Sequence, residues 1–112
     1  MKIYHNPRCR KSRETLALLN EKGVEPEIIE YLKDTPSKEE LKSVLLKLKM
    51  SASEIVRKGE AVYKEEYKGK ELSEEQWLQA LIEHPKLIER PIVITEDSAK
   101  IGRPPENVLL LF

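Results

Sequence analysis

Residues 2–32, KIYHNPRCRKSRETLALLNEKGVEPEIIEYL, contain three segments with different hydrophobic patterns. Lys2–His5 is short and stopped by an asparagine and a proline, which predicts a strand. From Cys9 onward the apolar residues follow a helical period, and Gly23 closes the predicted helix. Glu27–Leu32 is apolar and rich in β-branched residues, so it predicts a second strand. Strand, helix and strand together form a βαβ unit whose two strands should lie parallel.

The middle of the chain is predicted to be helical. Three serines are each followed, three residues later, by Glu or Gln, which is typical of capping boxes at helix starts. These pairs are Ser37 with Glu40, Ser51 with Glu54, and Ser73 with Gln76. His84-Pro85 should end the third helix. The charged stretch at residues 60–72, which includes Tyr63 and Tyr67, is expected to be exposed and loosely packed.

The last third of the chain predicts two strands and a helix. Pro91–Thr95 is a β-branched run, and Lys100–Gly102 is short enough to be its hairpin partner. Pro104-Pro105 should start a terminal helix whose apolar face is Val108–Phe112. The order βαβ, helical insert, ββα predicts an α/β fold, a thioredoxin-like (glutaredoxin-like) three-layer sandwich. We expect it to form a single domain over residues 1–112.

Charge and composition exclude several functional classes. The 112 residues carry 20 Lys or Arg and 20 Asp or Glu, so there is no net charge to attract nucleic acid or an acidic membrane. Apolar runs of four or five residues are too short to span a bilayer, and the first residues do not resemble a signal peptide. A cytoplasmic protein is therefore expected. One cysteine can form neither an internal disulfide nor a zinc cluster, and the two histidines lie far apart, so no metal is implied.

The stretch around the single cysteine predicts a reactive thiol. His5–Arg13 contains four cations and no acid, and it places Cys9 at or next to the start of the first helix. Free backbone N–H groups, the helix dipole and neighbouring cations all favour thiolate over thiol. The same N–H groups can bind an oxyanion. The alternative is that Cys9 is a small buried hydrophobic residue and the cations form a solvated helix face.

Two polar residues near Cys9 have roles that the residues alone leave open. Ser12 stands at the fourth place of a Cys-x-x-Ser arrangement. Its hydroxyl can hydrogen-bond a thiolate, or it can be an ordinary polar residue of the first helical turn. His5 could stabilise the thiolate as a cation or through a hydrogen-bond relay, or it could face solvent.

Several motifs, in the same order along the chain, resemble those of the glutaredoxin-coupled arsenate reductases. Residues 5–16 fit His-Asn-Pro-x-Cys-x-x-Ser-Arg-x-x-Leu, and residues 84–93 are similar to that family's His-Pro-x-Leu-Ile-x-Arg-Pro-Ile-Val block. Arg57-Lys58 and Arg103-Pro104 match two further pairs. The resemblance implies a thioredoxin-like fold and covers nearly the whole chain.

The resemblance also implies roles for individual residues. Cys9 would attack arsenate and form a covalent adduct, supported by His5 and Ser12. Three arginines would hold the oxyanion and its arsenite-level successor, namely Arg57, Arg90 and Arg103. Glutathione and then glutaredoxin would supply the remaining thiols, because one cysteine cannot resolve its own adduct. Pro91 would be the cis-proline of the fold, and no bound cofactor is implied.

This chain departs from the longer family members at two places. Arg10 and Lys11 stand between Cys9 and Ser12, where those members carry small neutral residues, and Pro105 replaces a serine. Bulky cations beside the nucleophile could narrow or redirect the anion pocket, which leaves the identity of the oxyanion open. Two alternatives remain: a redox-responsive regulator that binds RNA polymerase, and a glutathione-dependent thiol enzyme with another substrate.

Overall fold

A four-stranded mixed sheet is the centre of the first part of the molecule. The computed structural model describes residues 1–112 and divides into two compact units, residues 1–34 with 90–112 and residues 35–89. The expected single domain stays a prediction. The strands of the first unit are β1 (Lys2–Tyr4), β2 (Glu27–Ile29), β3 (Ile92–Ile94) and β4 (Ala99–Ile101). Their order is β2-β1-β3-β4.

Strand pairing confirms the predicted βαβ unit and hairpin. β1 and β2 are parallel, with Ile3 opposite Ile28, whereas β3 is antiparallel to both β1 and β4. Every strand has only three residues, so the first three are shorter than the sequence predicts, and β4 has the predicted length but begins one residue earlier. The second strand ends early because the chain turns after Ile29, where the Lys33 and Asp34 amides donate to the Glu30 carbonyl at 2.9 Å.

Helix α1 (Arg10–Glu21) crosses between β1 and β2 and ends, as predicted, near Gly23, which has a φ of +78°. Leu16 and Leu19 of the predicted apolar stripe face the core, but the helix also buries Ser12 and Thr15. Leu19 packs in the core of the unit with Ile3, Val93 and Val108. A prediction from hydrophobic periodicity considers apolar residues only, so it could not identify Ser12 and Thr15 as buried.

The chain ends in a 3₁₀ helix, Pro105–Leu111, instead of the predicted α-helix. Val108 is fully buried on its inner face. Just before this helix, Gly102 allows a close approach between β4 and α1. A Cβ atom at Gly102 would lie 2.5 Å from Thr15 Oγ1 and 2.8 Å from Pro91 Cγ. A larger residue there would have to displace the side chain of Thr15 or the ring of Pro91.

The second unit contains α2 (Lys38–Leu48) and α3 (Glu74–Glu83). Capping boxes at Ser37 and Ser73 start both helices, as predicted. At Ser51 the amide donates to the Glu54 carboxylate at 3.3 Å, but the segment that follows is one 3₁₀ turn, Ala52–Ile55. A second 3₁₀ turn, Pro85–Leu87, follows α3. None of the helices is both long and apolar enough to cross a membrane.

The prediction of a loosely packed segment at residues 60–72 is wrong for its two tyrosines. Tyr63–Tyr67 forms a π-helical turn. Tyr63 stacks on Trp77 with ring centroids 6.4 Å apart, and the Tyr67 and Trp77 centroids are 5.8 Å apart. The prediction relied on the high charge of the segment and so missed the aromatic contact between its tyrosines and Trp77 of α3.

Candidate active site

Cys9 is the N-cap residue of α1, which confirms its predicted place at a helix start. Its backbone is extended, with φ −93° and ψ 123°, and its side chain is only 8% exposed. The Cys9 amide donates to the Asn6 carbonyl at 2.9 Å, and the Cys9 carbonyl accepts the Arg13 amide at 3.0 Å. The Cys9 backbone is therefore bonded on both sides, and the thiol lies next to backbone N–H groups that have no partner within the helix.

The surroundings of Cys9 favour the thiolate. Burial raises the pKa of the Cys9 thiol, but a hydrogen bond from the Ser12 backbone N–H and the guanidinium groups of Arg90 and Arg103 outweigh it, so the pKa lies below its ordinary value. Nη2 of Arg103 lies 3.6 Å from Cys9 Sγ. The thiolate form of Cys9 is thus favoured, and cationic groups lie beside it.

The cations next to Cys9 in the sequence are not the ones that lower its pKa, so that part of the prediction is wrong. Arg10 is 84% exposed and its Nε donates to Glu14 at 3.0 Å, and Lys11 Nζ lies 3.8 Å from the same carboxylate. Arg13 donates to the Pro7 carbonyl at 3.0 Å. In the first turn of a helix these side chains point into solvent, and Glu14 offsets their charge. The concern that they narrow the anion pocket loses its basis.

His5 and Ser12, on either side of Cys9 in the sequence, form a buried pair. His5 Nδ1 and Ser12 Oγ are 2.6 Å apart, and the Asn6 amide donates to the same oxygen at 3.1 Å. Burial lowers the pKa of His5, as does Arg13, while Glu30 raises it; the net direction is downward. His5 is therefore mainly uncharged near neutral pH, which favours a hydrogen-bonding role over a cationic one. Ser12 reaches Cys9 through its backbone N–H, and its hydroxyl bonds to His5.

Strand pairing brings two of the predicted arginines to Cys9. Arg90 directly precedes Pro91 and β3, and Arg103 follows β4, so the hairpin places both at the same end. Nε of Arg103 donates to the Arg90 carbonyl at 2.7 Å. The Arg90–Pro91 peptide bond is cis, as the resemblance implies, and the Arg103–Pro104 bond is cis as well.

Arg57, the third predicted arginine, belongs to the second unit. Its backbone N–H donates to the Leu87 carbonyl at 2.7 Å, next to a β-bridge between Val56 and Ile88. Its guanidinium faces two carboxylates of that unit, with Nη1 3.8 Å from Glu60 and Nε 3.8 Å from Glu89. A role for Arg57 in binding substrate stays a prediction.

Nearly the whole length of the chain matches a known family. The model of the ArsC family matches residues 4–111. The chain belongs to the ArsC family. It is 50% identical over 109 residues to an arsenate reductase of Haemophilus influenzae, covering 96% of this chain and 94% of the relative. It is 53% identical over 111 residues to an uncharacterised protein of Escherichia coli K12, covering 97% and 93%.

Solved structures agree with this assignment to the ArsC family. An arsenate reductase from Vibrio cholerae superposes with a TM-score of 0.95 at 49% identity, covering 99% of this chain and 96% of that one. An ArsC family related protein from Bacteroides fragilis superposes with a TM-score of 0.86 at 27% identity, covering all of both chains. The predicted α/β, thioredoxin-like fold is confirmed.

Three residues that shape this ArsC-family site were missed in the sequence. Thr15 donates to the Lys11 carbonyl at 2.8 Å from the buried face of α1, and Gly102 packs against it. Asn107 donates to the carbonyls of Ile101 and Arg103. A threonine, a glycine and an asparagine are ordinary in a helix, at a strand end and in a terminal segment, so their types gave no signal.

The pH dependence of Cys9 alkylation tests the electrostatics of the site. With excess iodoacetamide, we expect a single titration with an apparent pKa below the unperturbed value of about 8.5. High salt should move it upward, because the Arg103 guanidinium is partly exposed and its charge can be screened. A measured pKa at or above about 8.5 would contradict the stabilised thiolate.

Proposed function

We propose that this protein is an arsenate reductase that forms a covalent adduct at Cys9 and depends on external thiols. The observation that carries the proposal is the Cys9 thiol, whose pKa is lowered and whose Sγ lies 3.6 Å from Nη2 of Arg103. A thiolate is the nucleophilic form, and a guanidinium beside it attracts a tetrahedral oxyanion. The arsenate reductases among the relatives support arsenate as that oxyanion.

In the proposed reaction, the Cys9 thiolate attacks arsenic, a sulfur–arsenic bond forms, and one oxygen leaves as water after protonation. Arg90 and Arg103 offset the negative charge of the oxyanion, and the Ser12 N–H stabilises the Cys9 thiolate. We also propose Arg57 as a third substrate arginine, on the family resemblance alone. The uncharged His5 bonds to the Ser12 hydroxyl and so supports the first turn of α1.

The number of cysteines in the chain makes external thiols necessary for the proposed reaction. Reduction of arsenate to arsenite takes two electrons, and arsenate with two thiols gives arsenite, one disulfide and water. The chain supplies one thiol, Cys9, so it cannot close a disulfide within itself. We propose that glutathione supplies the second thiol and that glutaredoxin restores Cys9 from its mixed disulfide.

A cleft beside the loop that leads to Cys9 is our candidate site for the small thiol. Its volume is about 290 Å³, just below the usual range of ligand sites. The cleft is lined by residues of two loops, His5, Asn6, Pro7, Arg8, Glu30, Leu32 and Lys33. Glutathione carries two carboxylates and one ammonium group. Two cations and one carboxylate, Arg8, Lys33 and Glu30, match these charges.

Charge reversal in the cleft tests this site. In Lys33→Glu the KM for glutathione should rise by about threefold to tenfold, since one exposed charge is worth up to about 1 kcal/mol and here its sign is inverted. The KM for arsenate should not change. The matched control is Lys22→Glu, an exposed lysine at the other end of α1. An unchanged KM for glutathione would show that glutathione does not bind in this cleft, but it would not contradict the proposed reaction at Cys9.

The function itself is tested by turnover with arsenate while glutathione and glutaredoxin are omitted in turn. Repeated turnover should need both, and omission of glutaredoxin alone should leave Cys9 as a mixed disulfide or an arsenic adduct, detectable by intact-protein mass. Repeated turnover with thioredoxin and no small thiol would contradict the glutathione-coupled assignment. Absence of any adduct with arsenate would contradict the proposal that arsenate is the substrate.

A further inference from the structure

The main chain around Arg103 is held by the side chain of one residue in the terminal 3₁₀ helix. Nδ2 of Asn107 donates to the Arg103 carbonyl at 3.0 Å and to the Ile101 carbonyl at 3.3 Å. The first acceptor belongs to the arginine beside Cys9, and the second to the last residue of β4. One amide group therefore ties the arginine to the end of the strand.

An asparagine suits this position because its NH₂ group has two donors that can serve two carbonyls at once. Arg103 is exposed, and its long side chain would otherwise sample many rotamers. Its Nε is held by the Arg90 carbonyl at 2.7 Å, while Nη2 lies 3.6 Å from Cys9 Sγ. Both contacts require the Arg103 backbone to stay in place relative to the hairpin.

We propose that Asn107 is a positioning residue, which fixes the Arg103 backbone so that its guanidinium stays beside Cys9. This inference rests on the proposed role of Arg103 at the thiolate, and it adds a residue whose amide bonds to the Arg103 carbonyl. Asn107 acts on Cys9 only through Arg103.

The 3₁₀ helix has another anchor, which separates positioning from general stability. Val108 is fully buried and packs with Ile3, Leu19 and Val93. Asn107 is only partly buried. Removal of its amide should therefore leave the helix packed on the core while the loop at Arg103 gains freedom.

The test measures the acid dissociation of Cys9 from the pH dependence of alkylation, which does not require arsenate turnover. In Asn107→Ala the dissociation constant of the thiol should fall by about two- to five-fold, the range that a partly exposed charge pair supports. The same change in an Arg103→Ala background should have no further effect, because the group through which Asn107 acts is gone. Asn20→Ala, an exposed asparagine in α1, is the matched control and should leave the constant unchanged.

Each result decides the proposal. An unchanged dissociation constant in Asn107→Ala would overturn it, as would an equal shift with and without Arg103. Asn107→Leu keeps the number and branching of the side-chain heavy atoms without donors. If the folded fraction falls in Asn107→Ala, this second variant should show the same fall in the Cys9 dissociation constant. Loss of folding in both variants, seen in thermal melts, would make Asn107 a general structural anchor and would also overturn the proposal. Failure of arsenate turnover in the unmodified protein would contradict the proposed function but not this positioning role.

Discussion

Cys9→Ser is expected to abolish arsenate reduction, with a loss on the order of 10³-fold or more, as for other removed nucleophiles. A serine hydroxyl is scarcely ionised near neutral pH and is a much weaker nucleophile than a thiolate. The fold should survive, because serine is a preferred N-cap residue and is close to cysteine in size. The loss would therefore report chemistry at one atom, Cys9 Sγ.

The measurement is single turnover with arsenate, glutathione and glutaredoxin, together with a thermal melt. As a stricter control, the double variant Cys9→Ser, Ser51→Cys keeps one thiol in the chain but places it at the start of another helical turn. Ser51 is also an N-cap with extended backbone, but its neighbour at the fourth place is Glu54, a carboxylate. We expect this variant to be inactive. Activity near that of the unmodified protein in either variant would show that Cys9 is not the nucleophile.

Replacement of either arginine at the hairpin end should lower kcat/KM for arsenate by about 10- to 100-fold, because a hydrogen bond to a charged group is worth about 1.5–3 kcal/mol. Arg103→Ala and Arg90→Ala both remove a cation that lowers the pKa of Cys9. Arg103→Lys should also be impaired. A single ammonium cannot reach the Arg90 carbonyl and Cys9 Sγ as the guanidinium fork does.

Arg10→Ala is the matched control for these variants, since its side chain is exposed and bonded to Glu14. It should turn over at the rate of the unmodified protein. Separate kcat and KM values show whether the arginines act on the bound oxyanion, on the attacking thiolate or on both. Unmodified turnover in Arg90→Ala, Arg103→Ala and Arg103→Lys would remove both residues from the site.

The place of Cys9 could be predicted from sequence because its determinants are local. The hydrophobic period changes there, and the residues before it stop a strand, so a helix had to begin at Cys9 or Arg10. The capping boxes at Ser37 and Ser73 are local for the same reason. These helix starts were predicted correctly because each depends on residues within a single helical turn.

The cations that act on Cys9 could not be found in this way. Arg103 is 94 residues from Cys9 in the sequence, and the strand pairs of the sheet bring it there. The pattern of charges pointed instead to Arg10 and Lys11, which bond to Glu14. Arg90 and Arg103 were identified by family resemblance alone, since nothing else distinguishes them among the 20 cationic residues.

The two arginines flank a single hairpin, so the proposed anion site does not depend on the turn at the far end of that hairpin. Their spacing is set by the pairing of Ile92 with Ile101, each of which is two residues from one of the arginines. The turn over residues 95–98 can therefore lengthen or change composition during evolution without altering the site. A single residue gained inside either strand would instead invert the inward and outward alternation and misdirect one of the two cations. Sequence changes are therefore tolerated at the turn over residues 95–98, whereas insertions in the paired strands are not.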